Sequence, residues 1–373
     1  MREERNVMNF CVNSQTLNES IISVIKAMPV HTSMPVLDGI LIRADSKGVH
    51  ILCSDLMMQK ECLLPASVSE EGECVINGKK FAEYVRKIPD DTAFFSLNGK
   101  TLTLRCGKTV SQFPCIEYEE FPVMTFKEED IFRLTLKKEQ WKKIIDRTAF
   151  AVGIDDVRPM LAGVYMETSA SGVTMVATDS FQFAMNSLAA ETELPEKSCI
   201  IPGRTVQEVS RMTDESAEDD FTLELSRTHI KADTGSVCLV ARLLDGKYIE
   251  YKRLIPKECR TRVLLDKEAL TDAVDRATLV AREGNNSVKL SFKEDTLYIN
   301  AESGAGKIEE EINVQIMGPD IDIAFNPHYL INVLKNIAGE KIYLEMNSSL
   351  NPCVFKPQAE EGALYLIVPM RVL

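Results

Sequence analysis

Arg158-Pro159-Met160-Leu161-Ala162-Gly163-Val164 reads almost as a second copy of Met34-Pro35-Val36-Leu37-Asp38-Gly39-Ile40, displaced by 124 positions. Each stretch leads into an alternating strand pattern, a glycine-containing turn and a second strand. The second strands are His50-Ile51-Leu52-Cys53-Ser54-Asp55 and Thr174-Met175-Val176-Ala177-Thr178-Asp179, whose aspartates again stand 124 apart. A third copy fits Val288-Lys289-Leu290-Ser291-Phe292, 124 positions beyond Val164, followed by Thr296-Leu297-Tyr298-Ile299-Asn300. Self-similarity at a fixed period marks a chain built from repeated units.

Each copy also predicts two helices. One precedes the strands: Leu17 to Met28, with Thr16 and Glu19 at capping-box spacing, then Lys138 to Ala151, then Lys267 to Val280. The other follows them, starting at Asn77-Gly78-Lys79-Lys80-Phe81, at Pro202-Gly203-Arg204-Thr205-Val206 and at Asn326-Pro327-His328-Tyr329-Leu330. Phe81, Val85 and Ile88 share one helical face, as do Leu330, Val333, Leu334 and Ile337. Further strands come next, with Asn98-Gly99 as a hairpin pair and weaker turn signals at Thr234-Gly235 and from Asn347 to Asn351. The fold class is therefore α+β: three similar units of about 124 residues, each with two helices and antiparallel strands, which nearly exhaust the 373 residues. The expected domains are 1–127, 128–256 and 257–373.

Composition sets limits on function. Hydrophobic residues make up 45% and charged residues 27%, enough apolar material for large cores. No run of about 18 apolar residues is present, so no membrane span is expected. Met1-Arg2-Glu3-Glu4-Arg5 opens no signal-like apolar run, and a cytoplasmic location is expected. The ten cysteines include no C-x-x-C pair and read as reduced, mostly buried thiols. The four histidines lack metal-ligand spacing, so neither a metal nor a cofactor is expected. Gly304-Ala305-Gly306-Lys307 resembles a phosphate loop only briefly, because Ala301 and Ile308 stand where that loop needs glycine and Ser or Thr. No G-x-S-x-G elbow occurs, and no enzyme is expected.

The net charge of −13 argues against nucleic-acid binding on total charge, but a ring or cleft can gather its cations on one face. Lys26, Lys79, Lys80, Arg86, Lys87, Lys142, Lys143, Arg147, Arg204, Arg211, Arg276, Arg282 and Lys335 fall on or beside the predicted helices. Glu83, Asp146, Glu208 and Asp272 sit among them, so solvated helix faces are the plainer reading of charge alone. Three similar domains in one chain suggest a curved object, and two such chains could close a ring of six.

The order and spacing of several stretches carry a family resemblance. They are Met34-Pro35-Val36-Leu37, Phe121-Pro122, Arg158 to Val164, Ala177-Thr178-Asp179-Ser180, Leu244-Asp245-Gly246-Lys247-Tyr248, Ala281-Arg282-Glu283-Gly284-Asn285 and Val368-Pro369-Met370-Arg371. Over essentially its whole length the chain resembles the bacterial DNA polymerase III beta subunit, the sliding-clamp family, and its Arg158-Pro159 and Ala281-Arg282-Glu283-Gly284 stretches look most like the Gram-positive form. The resemblance implies a head-to-tail homodimeric ring of six domains, with helices lining the hole and duplex DNA threaded through it without base readout. It implies tethering of a replicative polymerase, and contacts with a clamp loader and other proteins carrying clamp-binding peptides. By position it assigns DNA contact to Lys26, His31, Lys79, Lys80, Arg147, Arg158, Arg204 and Arg282. A peptide pocket between the second and third domains is assigned to Leu161, Thr178, Ser180, Phe181, Gln182, Phe183, Ile249, Arg253, Leu254, Pro352, Leu366, Val368, Pro369, Met370 and Arg371. The dimer seam is assigned to edge-strand residues Lys108, Ser111 and Phe113 of one chain, and to Leu279 and Val280 of the other.

The chain also departs from the family. Phe181-Gln182-Phe183 stands where His-Arg-Leu is usual, which adds two rings and removes a guanidinium. Ile249 replaces a proline, His31 stands where arginine is common, and Asp155 adds an acid near the DNA path. Two readings follow: a processivity clamp, or a peptide-binding scaffold on the clamp fold with altered partners.

Overall fold

The repeat is visible first as element order. The computed structural model describes residues 7–117, 120–126, 129–154, 157–190 and 193–371. The expected boundary at 127/128 and Asp155 lie outside the described residues. The first repeat runs β1 (Val7–Asn13), α1 (Ser14–Val24), β2 (Gly39–Asp45), β3 (Gly48–Ser54), β4 (Met58–Leu64), β5 (Ser67–Glu70), β6 (Gly72–Asn77), α2 (Gly78–Val85), β7 (Thr92–Asn98), β8 (Thr101–Cys106) and β9 (Thr109–Pro114). The second runs β10 (Phe132–Lys137), α3 (Lys138–Ala149), β11 (Gly163–Ser169), β12 (Gly172–Thr178), β13 (Gln182–Ala189), β14 (Lys197–Pro202), α4 (Gly203–Glu215), β15 (Asp220–Leu225), β16 (His229–Asp233) and β17 (Val237–Arg242). The third runs β18 (Thr261–Asp266), α5 (Lys267–Ala281), β19 (Val288–Lys293), β20 (Thr296–Ser303), β21 (Gly306–Asn313), β22 (Gln315–Met317), β23 (Ile321–Phe325), α6 (Pro327–Asn336), β24 (Lys341–Met346), β25 (Cys353–Pro357) and β26 (Ala363–Ile367).

The repeated sequence marks have steric causes. β2 and β11 begin at Gly39 and Gly163, each after a short 3-10 turn, Pro35–Asp38 and Pro159–Ala162. A Cβ on Gly163 would lie 2.7 Å from the Ile201 carbonyl oxygen and 2.8 Å from Ile200 Cγ2, so only glycine lets β11 meet β14 there. Gly39 faces the same limit, with Val75 Cγ1 only 2.2 Å from its Cβ position. The paired aspartates form matching turns. Asp55 Oδ1 accepts from the backbone N–H of Met57 and Met58 at 2.9 and 2.7 Å, and Asp179 Oδ1 from Phe181 and Gln182 at 2.8 Å each. Both turns carry a side chain in the left-handed region, Leu56 at φ 70° and Ser180 at φ 80°.

Two local expectations shift. α1 begins at Ser14 and is capped by Asn13, whose Oδ1 accepts from Gln15 N (2.9 Å) and Thr16 N (3.0 Å). Thr16 is thus inside the helix, and Glu19 accepts from Gln15 Nε2 at 3.1 Å instead of closing a capping box. The first hairpin forms, but its two-residue turn is Gly99-Lys100, with Asn98 paired to Thr101. Gly99 takes the positive φ (62°) at the first central position, which glycine adopts at little cost.

The chain folds as two compact units, one reaching to Lys138 and taking in Arg211–Leu243, the other made of Glu139–Ser210 and Leu244–Leu373. The first holds a five-stranded sheet, β5-β1-β7-β8-β9, and an eight-stranded sheet, β10-β15-β16-β17-β4-β3-β2-β6. Leu17, Ile21 and Val24 of α1 and Phe81 of α2 are buried against these sheets. The second holds a nine-stranded sheet, β14-β11-β12-β13-β26-β25-β24-β18-β22, and a four-stranded sheet, β21-β20-β19-β23. Here α5 and α6 pack together, and Trp141 of α3 is wholly buried. Strand pairing therefore crosses the repeats: β4 pairs β17, and β13 pairs β26, all antiparallel. All ten cysteines are free thiols, five of them buried.

Candidate functional site

The nine-stranded sheet opens a cavity of about 600 Å³ where β13 meets β26. The turn at Asp179 sets one wall. Thr178 Oγ1 donates to the Gln182 carbonyl (2.7 Å) and accepts from Ser180 N (3.1 Å), which turns Phe181 outward at 55% exposure. Leu161 enters from the 3-10 turn and is fully buried. A second short helical turn, Tyr251–Arg253, brings Ile249, Arg253 and Leu254 alongside. That turn is anchored by Tyr251 Oη donating to Glu167 Oε1 at 2.6 Å and by stacking of Tyr165 on Tyr248, centroids 5.0 Å apart. Repeat three supplies Pro352, Leu366 and Val368, and Val368 N donates to the Phe181 carbonyl at 2.8 Å, extending the sheet along the cavity edge.

Of the fifteen residues assigned by resemblance, Leu161, Thr178, Ser180, Phe181, Gln182, Phe183, Ile249, Arg253, Leu254, Pro352, Leu366 and Val368 line this cavity. Pro369, Met370 and Arg371 do not, because Met370 N bonds the Ala324 carbonyl at 2.7 Å and draws the terminal segment along β23. Arg158, assigned to DNA, and Glu250, not assigned, do line it. Arg253 is held by Glu250, Nε to Oε2 2.6 Å, so that charge is already answered at the rim.

The two rings of the Phe181-Gln182-Phe183 departure go to different places. Phe183 is core, 2% exposed and stacked on Tyr251 at 6.2 Å. Phe181 lies at the rim, stacked on Tyr329 of α6 with centroids 5.7 Å apart and planes 10° from parallel. Gln182 is buried; its Nε2 donates to Asp179 Oδ2 at 3.1 Å and its Oε1 accepts from Asn332 Nδ2 at 3.3 Å. The lost guanidinium is thus replaced by a neutral bridge from β13 to α6. Tyr329 and Asn332 were legible only as a helix start and interior, with nothing in their spacing pointing to the cavity.

The residues assigned to DNA are spread over both units. Lys26, His31, Lys79 and Lys80 belong to the first, and all four are exposed. Lys26 follows α1, and Lys79 and Lys80 open α2, which packs on α1. In the second unit Arg158, Arg204 and Arg282 are exposed. Arg147 differs: it is half-buried, and its Nη1 contacts both oxygens of Glu360 at 2.7 and 2.6 Å. Lys143 reaches the same carboxylate at 2.6 Å. Burial works against the Glu360 charge, but the hydrogen bonds from Lys143 and Arg147 outweigh it and hold the carboxyl below its ordinary 4.5.

A folded pKa below the unfolded one means that this cluster stabilises the fold above about pH 4.5 and that the gain is lost as pH falls through the folded value. Melts between pH 7 and pH 3 are therefore expected to fall more steeply for the wild type than for Glu360→Gln. Parallel curves would remove Glu360 from the acid response.

The assigned seam residues lie along one sheet edge, at β9, and on helix α5. β9 is an edge of the five-stranded sheet; Phe113 packs against Phe81 and Tyr84, each at 5.2 Å, and Ser111 hydrogen-bonds the Tyr84 hydroxyl. Lys108 is exposed in the turn before β9, and Val110, inside the same edge segment, is 58% exposed. Leu279 is 68% exposed on α5, with Val280 half-buried beside it. Among the described residues, no group of three His, Cys, Asp or Glu side chains is placed to hold a metal ion, and no helix is long and apolar enough to cross a membrane.

Comparison with known proteins agrees with this architecture. Models of the N-terminal, central and C-terminal domains of the DNA polymerase III beta subunit match residues 8–125, 135–250 and 252–371. The beta sliding clamp of Bacillus subtilis is 30% identical over 380 residues, covering 98% of this chain and 100% of that protein. The beta sliding clamp of Halalkalibacterium halodurans is 31% identical over 383 residues, with the same coverage. Among solved structures, the DNA polymerase sliding clamp from Bacillus subtilis superposes with a TM-score of 0.92 at 29% identity, covering 98% of this chain and 100% of that one. The DNA polymerase III beta subunit from Thermotoga maritima gives 0.92 at 28% identity with the same coverage. With all three domains matched in order along nearly its whole length, the chain belongs to the DNA polymerase III beta subunit family.

Proposed function

We propose that this chain is a DNA sliding clamp: two copies close head to tail into a ring of six domains, duplex DNA passes through the hole, and a replicative polymerase is held by a short peptide seated in the cavity. The domains are 1–127, 128–256 and 257–373. The clamp is not an enzyme; it raises the local concentration of polymerase at its template, and topology rather than affinity keeps it on DNA. It works in the cytoplasm, with the clamp loader and other proteins carrying clamp-binding peptides as further partners. The observation that carries the peptide reading is the apolar cavity of about 600 Å³, whose size and walls suit aliphatic and aromatic anchors. A scaffold with altered partners is not favoured, because likeness to clamps runs over the full length. Fluorescence anisotropy of a labelled clamp-binding peptide from a replicative polymerase tests the cavity: saturable binding is expected, and none at about 100 μM would remove the polymerase peptide as its occupant.

Two free sheet edges support ring closure. β9 is flanked by Arg105 and Lys108, while β21, the edge of the four-stranded sheet, carries Glu309, Glu310 and Glu311. Each edge leaves a row of backbone groups without a partner strand in its own sheet, and their flanking charges are opposite. Pairing β9 of one chain with β21 of the next satisfies both, and repeating it closes the ring.

DNA contact is electrostatic and sequence-independent in this reading. Lys79→Gln with Lys80→Gln is expected to weaken binding to all duplexes alike and to lower the slope of log affinity against log salt by about 2. An unchanged slope in a filter or anisotropy titration would take both lysines off the DNA path.

A further inference from the structure

A second recess of about 480 Å³ is walled by segments that continue from the apolar cavity, and its lining is polar: Lys257, Arg260, Arg262 and Lys356 surround it together with Glu258 and Glu345. We propose that this recess receives acidic residues flanking the apolar anchors of a partner peptide, so that one peptide occupies both sites. The proposal rests on the peptide reading of the apolar cavity and names the partner's chemistry more closely.

Charge is the first argument. In a chain of net charge −13, four cations converge here against two acids. Glu345 is already shared, 2.8 Å from Arg262 Nη2 and 2.7 Å from Lys356 Nζ, which fixes those two side chains in the recess. Lys257 and Arg260 are exposed, and among the described residues neither makes an ion pair. An entering carboxylate therefore meets two cations not committed elsewhere, beside two others locked in place.

Continuity is the second. Two chain segments wall both sites. One supplies Leu254 to the cavity and Lys257 to the recess; the other supplies Pro352 to the cavity and Lys356 to the recess. Leu254 and Lys257 are three residues apart, so their Cα atoms are at most about 11 Å apart, the reach of three or four extended peptide residues. The size of the recess and its excess of two cations suit one or two carboxylates rather than a track of phosphates.

The experiment uses the full chain and three labelled peptides with identical apolar anchors: one with Glu-Asp-Glu before them, one with Glu-Asp-Glu after them, and one with Gln-Asn-Gln at both ends. Anisotropy is read at low salt with the wild type and with Lys257→Gln/Arg260→Gln, both exposed positions. One acidic peptide is expected to bind about 10-fold tighter than the neutral one, with the gap closing in the double variant and the neutral peptide binding both proteins alike. Equal binding of acidic and neutral peptides to the wild type would overturn the proposal alone. A preference that survives the double variant would move it away from this recess. Failure of all three peptides to bind would overturn the cavity reading and this proposal with it. Single-stranded DNA that displaces the acidic peptide but not the neutral one, and that loses its hold in the double variant, would assign the recess to nucleic acid instead.

Discussion

Val368→Lys is expected to weaken a clamp-binding peptide by about 30–150-fold, the equivalent of about 2–3 kcal/mol, while the protein stays folded. Val368 lines the apolar cavity at 40% exposure, so a longer side chain has room in the unbound protein. Its contribution to the sheet is a backbone N–H bonded to the Phe181 carbonyl, which the substitution keeps. A bound peptide would bury the new ammonium against Leu161, Leu366 and Ile249. Arg158 and Arg253 are cations of the same sign in the lining, and Glu250 is engaged by Arg253. The ammonium would lose water and gain no partner. A titration by anisotropy reads the affinity, and a thermal melt within about 2 °C of the wild type checks the fold. Unchanged affinity would place the peptide elsewhere.

Val110→Pro combined with Leu279→Asp is expected to convert a dimer into single chains at low micromolar concentration. The two-residue turn before β9 pairs Cys106 with Thr109 and makes theirs a hydrogen-bonded pair. The alternation of antiparallel ladders then points the N–H of Val110 away from β8, toward the free edge. Proline at this position removes a seam donor without breaking the β8 ladder. Leu279→Asp puts a charge where an apolar side chain, 68% exposed in the single chain, would be covered. Together the changes are expected to raise the dimer dissociation constant at least 100-fold, about 3 kcal/mol. Light scattering should report twice the mass of one chain for the wild type and the mass of one chain for the variant, with unchanged circular dichroism. A variant that remains dimeric would move the seam off β9 and off the exposed side of α5.

Much of this fold could be read from the sequence because the marks that repeat are turn and contact chemistry. Gly39 and Gly163 are required by atoms within 3 Å of their Cβ positions, and Asp55 and Asp179 each tie down two backbone N–H groups. Such residues cannot drift without breaking a turn, so their offset stays legible. Long-range pairing leaves no comparable mark. Nothing in β4 or β17 announces that they are neighbours, since an alternating strand fits any edge of matching burial. Arg147 reads as one more helix cation until Glu360, far along the chain, is found holding it. Tyr329 reads as a residue of the first helical turn, and only the fold lays it against Phe181. At α1 the difference from the expected capping box is local: Asn13 is the stronger cap, and it stands three residues before Thr16.

The antiparallel ladder between β13 and β26 bears on how such a protein can be taken apart. Five register pairs, from Gln182 with Ile367 to Asn186 with Ala363, stitch repeat two to repeat three within one sheet. Parting the repeats between 256 and 257 strips β26 of β13, leaving it only β25, and bares an apolar edge that includes Tyr365, wholly buried in the intact sheet. Repeats two and three therefore do not behave as interchangeable modules. A chimera that swaps only the last repeat between two clamps inherits a mismatched ladder at the cavity itself, so the smallest graft that carries peptide preference intact spans both strands.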